Sequence, residues 1–252
     1  MTGAGVGPVA IIAGSGFDRL PELELVGEFL PGTPWGRPSA PIQQGRLGGA
    51  PVLFLSRHGH RHEYAPHAVN YRANIQALKD AGATAVLAVY TVGGISGALT
   101  PGTLVVPHDL VDYTSGREHS FSTVGRVIHV DFSEPFDGTL RQRLLTAARE
   151  TTEAGEPPVA DGGVYGATQG PRLETPAEID RMERDGCTVV GMTGMPEAVL
   201  ARELGLPLAG IALVVNPAAG RGGISMEEIA AVAAAGRERI LRILTSVVAA
   251  SA

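Results

Sequence analysis

Cysteine is nearly absent from this sequence, since Cys187 is the one cysteine among 252 residues. A disulfide within the chain is therefore excluded, and a chain without disulfides is typical of the reducing cytoplasm, where we expect this protein to be. The segment around Cys187, GCTVVGM, is mostly apolar, so we interpret the residue as a small buried side chain at the start of a strand.

An excess of positive charge and long apolar runs are also lacking. The chain has 20 basic and 26 acidic residues and a formal net charge of −6, whereas a nucleic-acid-binding surface needs a basic face. A small anion can still bind, because an acidic protein can contain a local basic pocket. No apolar run approaches the roughly 18–20 residues of a membrane span, and residues 1–14 lack the positive region that opens a signal peptide. We therefore expect neither a nucleic-acid nor a membrane partner.

Motifs of several common cofactor sites are missing as well. The first glycine turn, residues 14–16, lacks the full GxGxxG of dinucleotide-binding proteins, and no lysine follows it as in a Walker loop. The histidines His58, His60 and His62 lie close together, which makes a metal site an alternative, but no carboxylate–histidine spacing such as HExxH occurs.

Apolar strand-like segments alternate with helix-like segments along the chain. Residues 9–13, 52–55, 85–89, 104–106, 189–191 and 211–215 are predicted strands. Helices are predicted at residues 69–81, 140–154, 197–204 and from 225 towards 248, and a capping box at 175–178 predicts the start of another. This alternation favours an α/β fold with a largely buried sheet, and no linker divides residues 1–252, so we expect a single domain.

Polar side chains follow several predicted strands. We call Ser15, Arg57, His58, Thr91 and Thr193 the anion cradle, because strand ends form the ligand site of an α/β sheet. Arginine offers forked donors that suit phosphate oxygens, and the glycine turn can add backbone N–H groups. The alternatives are a plain tight turn at 14–16, a solvated basic loop at 57–60 and threonines with structural roles.

Two polar residues in the C-terminal half suit a purine. Glu174 lies in GPRLE and Asn216 in LVVNPAAG, and buried polar groups of this kind cost free energy unless something pairs with them. An amide can bond both N7 and a 6-oxo group of the ring, and a carboxylate can accept from N1–H. A turn-forming asparagine before Pro217 and a carboxylate in the first turn of a helix are the alternatives.

At these residues the chain resembles the trimeric family of purine nucleoside phosphorylases and methylthioadenosine phosphorylases. The similar motifs cover nearly the whole length: IIAGSGF, SRHGH, VNYRANIQALKDAG, TVGG, PGTLVVPHDLVDYTSGR, GPRLET, GMTGMPEAVLARE and VVNPAAG. The resemblance implies an α/β domain whose central mixed, partly barrel-like β-sheet is flanked by helices. It also implies a pentosyltransferase that needs no metal or cofactor, in which inorganic phosphate is a co-substrate and attacks C1′ of a purine nucleoside.

The resemblance assigns roles to individual residues. The implied catalytic residues are Arg57, His58 and Asn216. The implied phosphate-binding residues are Ser15, Arg57, His58, Thr91, Val92 and Thr193. The implied nucleoside-binding residues are Glu174, Met192, Asn216, Ala218, Met226, Ile229 and His129, the last of which would come from a neighbouring subunit of a homotrimer.

Two features favour S-methyl-5′-thioinosine, a 6-oxopurine nucleoside, as the substrate, in purine salvage. Family members that bind adenine have aspartates at the positions of Asn216 and Ala218. Ordinary nucleoside members place a histidine near the 5′-hydroxyl, whereas this chain has the apolar Met226 and Ile229, which share a helix face. The alternatives are a phosphorylase of inosine and guanosine, a methylthioadenosine phosphorylase, a non-catalytic nucleoside-binding protein, and a core-facing role for the apolar residues.

Overall fold

The computed structural model describes residues 7–250 of the chain; residues 1–6, part of the segment without a signal-peptide pattern, and residues 251–252 lie outside them. Within the described residues the strands are β1 (Val9–Ala13), β2 (Glu24–Phe29), β3 (Ile42–Leu47), β4 (Ala50–Ser56), β5 (Ala85–Gly94), β6 (Leu104–Val106), β7 (Asp109–Asp112), β8 (Ala160–Asp161), β9 (Val164–Ala167), β10 (Val189–Gly191) and β11 (Leu208–Pro217). The helices are α1 (Tyr71–Asp80), α2 (Gly138–Glu150), α3 (Pro176–Arg184), α4 (Gly194–Glu203) and α5 (Met226–Ala249). In residues 7–250 no helix is both long enough and apolar enough to cross a membrane.

The strands form one mixed sheet that forks at β5. Strands β4, β1, β5 and β11 run parallel to one another, so their carboxyl ends meet at one edge of the sheet. Beyond β5 one arm continues through β10, β9 and β7, and the other continues through β11 and β6 to β8. Strand β10 is antiparallel to the end of β5, which makes the sheet mixed and confirms the predicted fold class.

Helices cover both faces of this sheet. Alternate residues of β1 point to opposite faces, as the two-residue period of a strand requires. Val9 and Ile11 join one apolar cluster with Leu144 of α2 and Ile240 of α5, which cover that face. Ala10 and Ile12 join a second cluster with side chains of α1 and α4, which cover the other face. Burial on both faces explains why β1 is an uninterrupted apolar run.

The helix starts follow local capping chemistry. Thr175 and Glu178 form the predicted capping box at the start of α3. Helix α1 begins two residues later than predicted, because the Asn70 side chain accepts a hydrogen bond from the backbone of Ala73 and so caps the helix there. Helix α4 begins three residues early, but Met195 is non-helical (φ −112°, ψ 138°), so the regular helix starts close to the predicted position.

The sheet is larger than the sequence predicts. Strands β5 and β11 continue to Gly94 and Pro217, so the TVGG segment and Asn216 lie inside strands instead of after them. Strands β2, β3, β7, β8 and β9 are not among the predicted ones. Every residue of β2 is exposed, and β3 contains two glutamines and a glycine, so neither has the apolar signature of a buried strand.

Candidate active site

A cavity of about 380 Å³ opens at the edge where the parallel strands end. Eleven of the residues that the sequence nominates line it together: Ser15, Arg57, His58, Thr91, Val92, Glu174, Met192, Thr193, Asn216, Met226 and Ile229. Ala218 is buried next to the cavity wall and is not part of the lining, although its backbone N–H bonds to Gly94. His129 is exposed, lies between β7 and α2, and does not contribute to the cavity of its own chain.

The glycine turn after β1 brings Ser15 to the cavity. Phe17 N–H donates to the carbonyl of Gly14 over 2.7 Å, so the segment is a tight turn, and Gly16 has a positive φ of 80° that favours glycine. A Cβ atom on Gly14 would lie 2.7 Å from Cδ2 of His58 and 3.1 Å from Nη1 of Arg57. Glycine at position 14 therefore lets the turn pack directly against these two side chains.

Arg57 is buried and held by a carboxylate that the sequence analysis did not associate with it. Its Nε lies 2.5 Å from Oε1 of Glu197 and its Nη2 lies 2.9 Å from Oε2, a bidentate pair between residues 140 positions apart. Its Nη1 donates to the carbonyl of Val89 and its Nη2 to that of Ile12. A guanidinium has five N–H groups, so four are used by these partners and one on Nη1 remains for a ligand.

Electrostatics fix the charge of Arg57. Burial alone lowers the pKa of its guanidinium, but the charge of Glu197 and the hydrogen bonds to it outweigh burial and raise the pKa above its usual value. The side chains are 2% and 0% exposed, so the pair is almost fully removed from water. The cavity wall therefore carries the permanent positive charge of Arg57, which the carboxylate of Glu197 largely neutralises.

His58 is a neutral side chain in this environment. Burial and the neighbouring charge of Arg57 lower the pKa of its imidazole to about 4. Its Nδ1 lies 2.7 Å from the carbonyl oxygen of Tyr64, which can only accept, so Nδ1 carries the proton. Nε2 of neutral His58 is consequently an acceptor, so a hydrogen bond donated from it to a phosphate requires protonation of the ring.

Thr91 and Thr193 reach the cavity from two different segments, since Thr91 lies within β5 and Thr193 follows β10 as the N-cap residue of α4. Thr91 lies in β5, and the antiparallel course of β10 returns the chain so that Thr193 also lines the cavity. The backbone N–H groups of Thr193 and Gly194 donate to the hydroxyl of Tyr165, so these donors at the start of α4 are already paired. The Thr193 side chain does not cap α4; its hydroxyl lies within hydrogen-bonding reach of the Tyr165 hydroxyl, and the residue lines the cavity.

A β-bulge directs Asn216 into the cavity. Val214 pairs with Val92 and Asn216 with Gly93, so Val215 is an extra residue in β11. Strict alternation would point Val215 and Asn216 to opposite faces, but both line the cavity, as a bulge allows. Nδ2 of Asn216 donates to the carbonyl of Pro217 over 2.6 Å, which leaves one N–H and the amide oxygen for a ligand.

Glu174 and Met192 also line the cavity. Oε1 of Glu174 accepts a hydrogen bond of 2.6 Å from the hydroxyl of Thr168. The backbone carbonyl of Met192 accepts from Arg117 over 2.8 Å. Arg117 is buried and also donates to the carbonyls of Met195, Thr168 and Gln169, so one guanidinium ties together the two segments that carry Met192 and Glu174.

The cavity lining also includes two apolar residues of α5, Met226 and Ile229, and a second histidine, His62. Met226 is 64% exposed and Ile229 is partly buried, and both lie in the first turns of α5. The ring of His62 stacks on that of His58 with 4.6 Å between centroids, and its Nδ1 lies 3.3 Å from Oδ1 of Asp18. The sequence alone predicts that Met226 and Ile229 lie on one apolar face of a helix, whereas the position of His62 in the cavity lining follows only from the folded structure.

The nearby histidines are not arranged as a metal centre. In residues 7–250, no group of three or more histidine, cysteine, aspartate or glutamate side chains is positioned to hold a metal ion. Nδ1 of His58 is bonded to a carbonyl, and a buried guanidinium lies beside it. The arrangement instead combines one positive charge, two threonine hydroxyls and Ser15 with an amide and a carboxylate in the lining of one cavity.

Comparison with known proteins agrees with this geometry. Residues 8–249 match the model of the phosphorylase superfamily. The chain is 53% identical over 246 residues to a protein of Pseudomonas syringae pv. tomato named probable S-methyl-5′-thioinosine phosphorylase, covering 96% of this chain and 98% of the relative. It is 47% identical over 188 residues to S-methyl-5′-thioadenosine phosphorylase of Mycolicibacterium smegmatis, covering 75% of this chain and 69% of the relative.

A solved structure extends the agreement to the fold. Methylthioadenosine phosphorylase from Schistosoma mansoni, in complex with adenine, superposes with a TM-score of 0.89 at 34% identity, covering 97% of this chain and 91% of the other. The nucleoside phosphorylase family named from the sequence motifs is thereby confirmed. This chain belongs to the phosphorylase superfamily.

Proposed function

We propose that the protein cleaves S-methyl-5′-thioinosine by phosphorolysis, giving hypoxanthine and 5-methylthioribose 1-phosphate. One observation carries the proposal: a buried arginine with threonine and serine hydroxyls lies in the same cavity as Asn216 and Glu174, which have the donors and acceptors of a 6-oxopurine edge. The relatives named for this substrate, at 51–53% identity, support it.

The anion cradle binds and orients inorganic phosphate, the co-substrate. The remaining N–H of Arg57 and the hydroxyls of Thr91 and Thr193 donate to its oxygens, and Ser15 adds a hydroxyl from the glycine turn. Because Glu197 already offsets much of the charge of Arg57, the cradle holds the dianion without neutralising it. A phosphate held in line with C1′ supplies orientation, and its charge stabilises the oxocarbenium character that develops on the sugar.

The base end stabilises the leaving purine. As the glycosidic bond stretches, negative charge develops on the ring, and the free N–H of Asn216 donates to the 6-oxo oxygen, which takes up part of that charge. Glu174 accepts from N1–H. Donors placed where charge develops are usually the largest catalytic contribution, on the order of 10²–10³ in rate for one donor. Ala218 adds no polar group beside the cavity, so the cavity lacks a carboxylate for a 6-amino group at that position.

The protein acts as a homotrimer, in which His129 covers the cavity of a neighbouring subunit. His129 is exposed in the segment before α2, near the exposed apolar side chains of Val124 and Val127, as expected of a surface that covers a neighbour's cavity in a homotrimer. Met226 and Ile229 then border an apolar pocket for the methylthio group. The reaction uses no metal or cofactor, and we place it in purine salvage in the cytoplasm, within one domain. Sedimentation of the purified protein measures the trimer directly.

A second candidate, phosphorolysis of S-methyl-5′-thioadenosine, has its own support. A relative of that name is 47% identical, and the superposed Schistosoma mansoni enzyme is a methylthioadenosine phosphorylase. The two candidates differ at N1 and C6 of the purine, where 6-oxopurines donate from N1 and accept at O6, and 6-aminopurines do the reverse.

A three-substrate comparison distinguishes the candidates. We expect kcat/KM at saturating phosphate to be highest for S-methyl-5′-thioinosine, lower for inosine, and lower by on the order of 10²-fold or more for S-methyl-5′-thioadenosine, because a site that pairs one pattern leaves buried groups unpaired with the other. Faster turnover of S-methyl-5′-thioadenosine would establish the second candidate. Binding of all three without cleavage would indicate a nucleoside-binding protein.

A further inference from the structure

Glu174 lies between two cavities. Its carboxylate borders the candidate active site and also a second cavity of about 340 Å³, which is lined in part by Arg172 and Arg181. Glu174 is only partly buried, and it lies in the loop between β9 and α3. The orientation of its carboxylate therefore decides whether its second oxygen faces the candidate active site or the cavity that contains the guanidinium groups.

The hydroxyl of Thr168, which itself lines the second cavity, holds one oxygen of the Glu174 carboxylate. It donates to Oε1 of Glu174 over 2.6 Å, while its other acceptor, the carbonyl of Gly191, is 3.3 Å away. A hydroxyl has one proton, and a bond of this length to a carboxylate is of the strong, charge-assisted kind. On the other side, Arg172 is already engaged by Glu178 over 2.7 and 2.8 Å, so it does not draw Glu174 away in the present arrangement.

The backbone of Thr168 is fixed independently of Glu174. Its N–H donates to the carbonyl of Gly191 over 2.8 Å, and its carbonyl accepts from Arg117 over 3.1 Å. The residue is 8% exposed and directly follows β9. The hydroxyl is thus held on a rigid support, and this is the condition for a side chain that positions another.

We propose that Thr168 is a positioning residue that sets the preference for 6-oxopurines, an inference that rests on the proposed function. One oxygen of the Glu174 carboxylate accepts from Thr168, and the second oxygen is left to accept the N1–H of a 6-oxopurine. N1 of a 6-aminopurine has no proton and needs a donor, which a carboxylate in this arrangement does not supply. Thr168 thereby favours one purine class without touching the base.

The test uses Thr168→Val, which keeps the shape and removes the hydroxyl, with Thr168→Ser as the matched control. We expect T168V to lower kcat/KM for S-methyl-5′-thioinosine by about 10- to 100-fold, the effect of one hydrogen bond to a charged group. The value for S-methyl-5′-thioadenosine and the KM for phosphate should change less than about twofold, and T168S should restore the preference. Thr168→Ala provides the same comparison if T168V is insoluble.

Two results separate positioning from a general structural role. In a Glu174→Ala background, T168V should have no further effect on the substrate ratio, because the acceptor that Thr168 positions is gone. An equal loss on both substrates, a loss that persists in E174A, or an unchanged ratio in T168V would overturn the inference about Thr168. If the unmodified protein does not prefer the 6-oxopurine substrate, the proposed function fails instead, before any variant is compared.

Discussion

Replacing Glu197 with glutamine removes the carboxylate that neutralises Arg57 at the wall of the cavity. The two side chains are 2% and 0% exposed and form a bidentate pair of 2.5 and 2.9 Å. Removal of one partner from a buried ion pair costs about 3–5 kcal/mol, because the other charge stays buried without compensation. Glutamine keeps one acceptor, so we expect E197Q to lose about 3 kcal/mol of unfolding free energy.

Urea unfolding at fixed protein concentration measures this loss. With an m value of about 3 kcal/mol/M, a loss of about 3 kcal/mol lowers the midpoint by about 1 M. Glu178→Gln is the matched control, since Glu178 forms a bidentate pair of similar length with Arg172 at the surface, where water screens both charges. We expect a much smaller midpoint shift for E178Q.

Phosphate should rescue E197Q in particular. If the unpaired charge of Arg57 faces the cavity, an anion bound there replaces the missing carboxylate, and a ligand stabilises a variant more when it binds that variant more tightly. We expect saturating phosphate to raise the midpoint of E197Q more than that of the unmodified protein. A shift no larger than that of E178Q, or equal phosphate effects in both proteins, would refute the view that Glu197 holds a buried charge at an anion site.

Three further perturbations test other parts of the site. The pKa of His58 is about 4 in the folded protein and about 6.5 when unfolded, so its contribution of about 3 kcal/mol to stability is present above pH 6.5 and is lost as the pH falls from 6.5 to 4. The unfolding free energies of the unmodified protein and of His58→Gln should therefore converge over that pH range. Parallel pH profiles of the two proteins would contradict this. Gly14→Ala places a methyl group 2.7 Å from the His58 ring, so we expect about 1–3 kcal/mol of destabilisation and weaker phosphate binding by calorimetry. Asn216→Asp cannot donate to a 6-oxo group, and kcat/KM for S-methyl-5′-thioinosine should fall by on the order of 10²-fold relative to S-methyl-5′-thioadenosine; an unchanged ratio would remove Asn216 from base recognition.

The residues that the sequence reveals are polar side chains in strongly apolar surroundings. Asn216 follows a run of buried β11 residues, and Thr193 follows β10, so each is conspicuous, and the mixed sheet topology brings them to one cavity. The capping box at Thr175 is equally local, because both of its hydrogen bonds join residues three positions apart. Features of this kind depend on a few neighbouring residues and can therefore be predicted from the sequence alone.

Pairings that depend on distant residues are not legible in the same way. Glu197 is a charged residue in the apolar stretch MPEAVLA, which signals that a buried partner must exist, but nothing local identifies Arg57 as that partner. The bulge at Val215 and the tautomer of His58 arise from strand register and from the carbonyl of Tyr64. These properties are set by tertiary contacts, so they appear only once the chain is folded.

Quantifying phosphate consumption against base release is the most direct measurement of whether an anion and a purine nucleoside meet in this cavity. With S-methyl-5′-thioinosine as substrate, we expect one phosphate to be consumed for each hypoxanthine released, and no release in phosphate-free buffer. Hypoxanthine release that continues at the same rate without phosphate would contradict phosphorolysis and would indicate that water attacks the sugar.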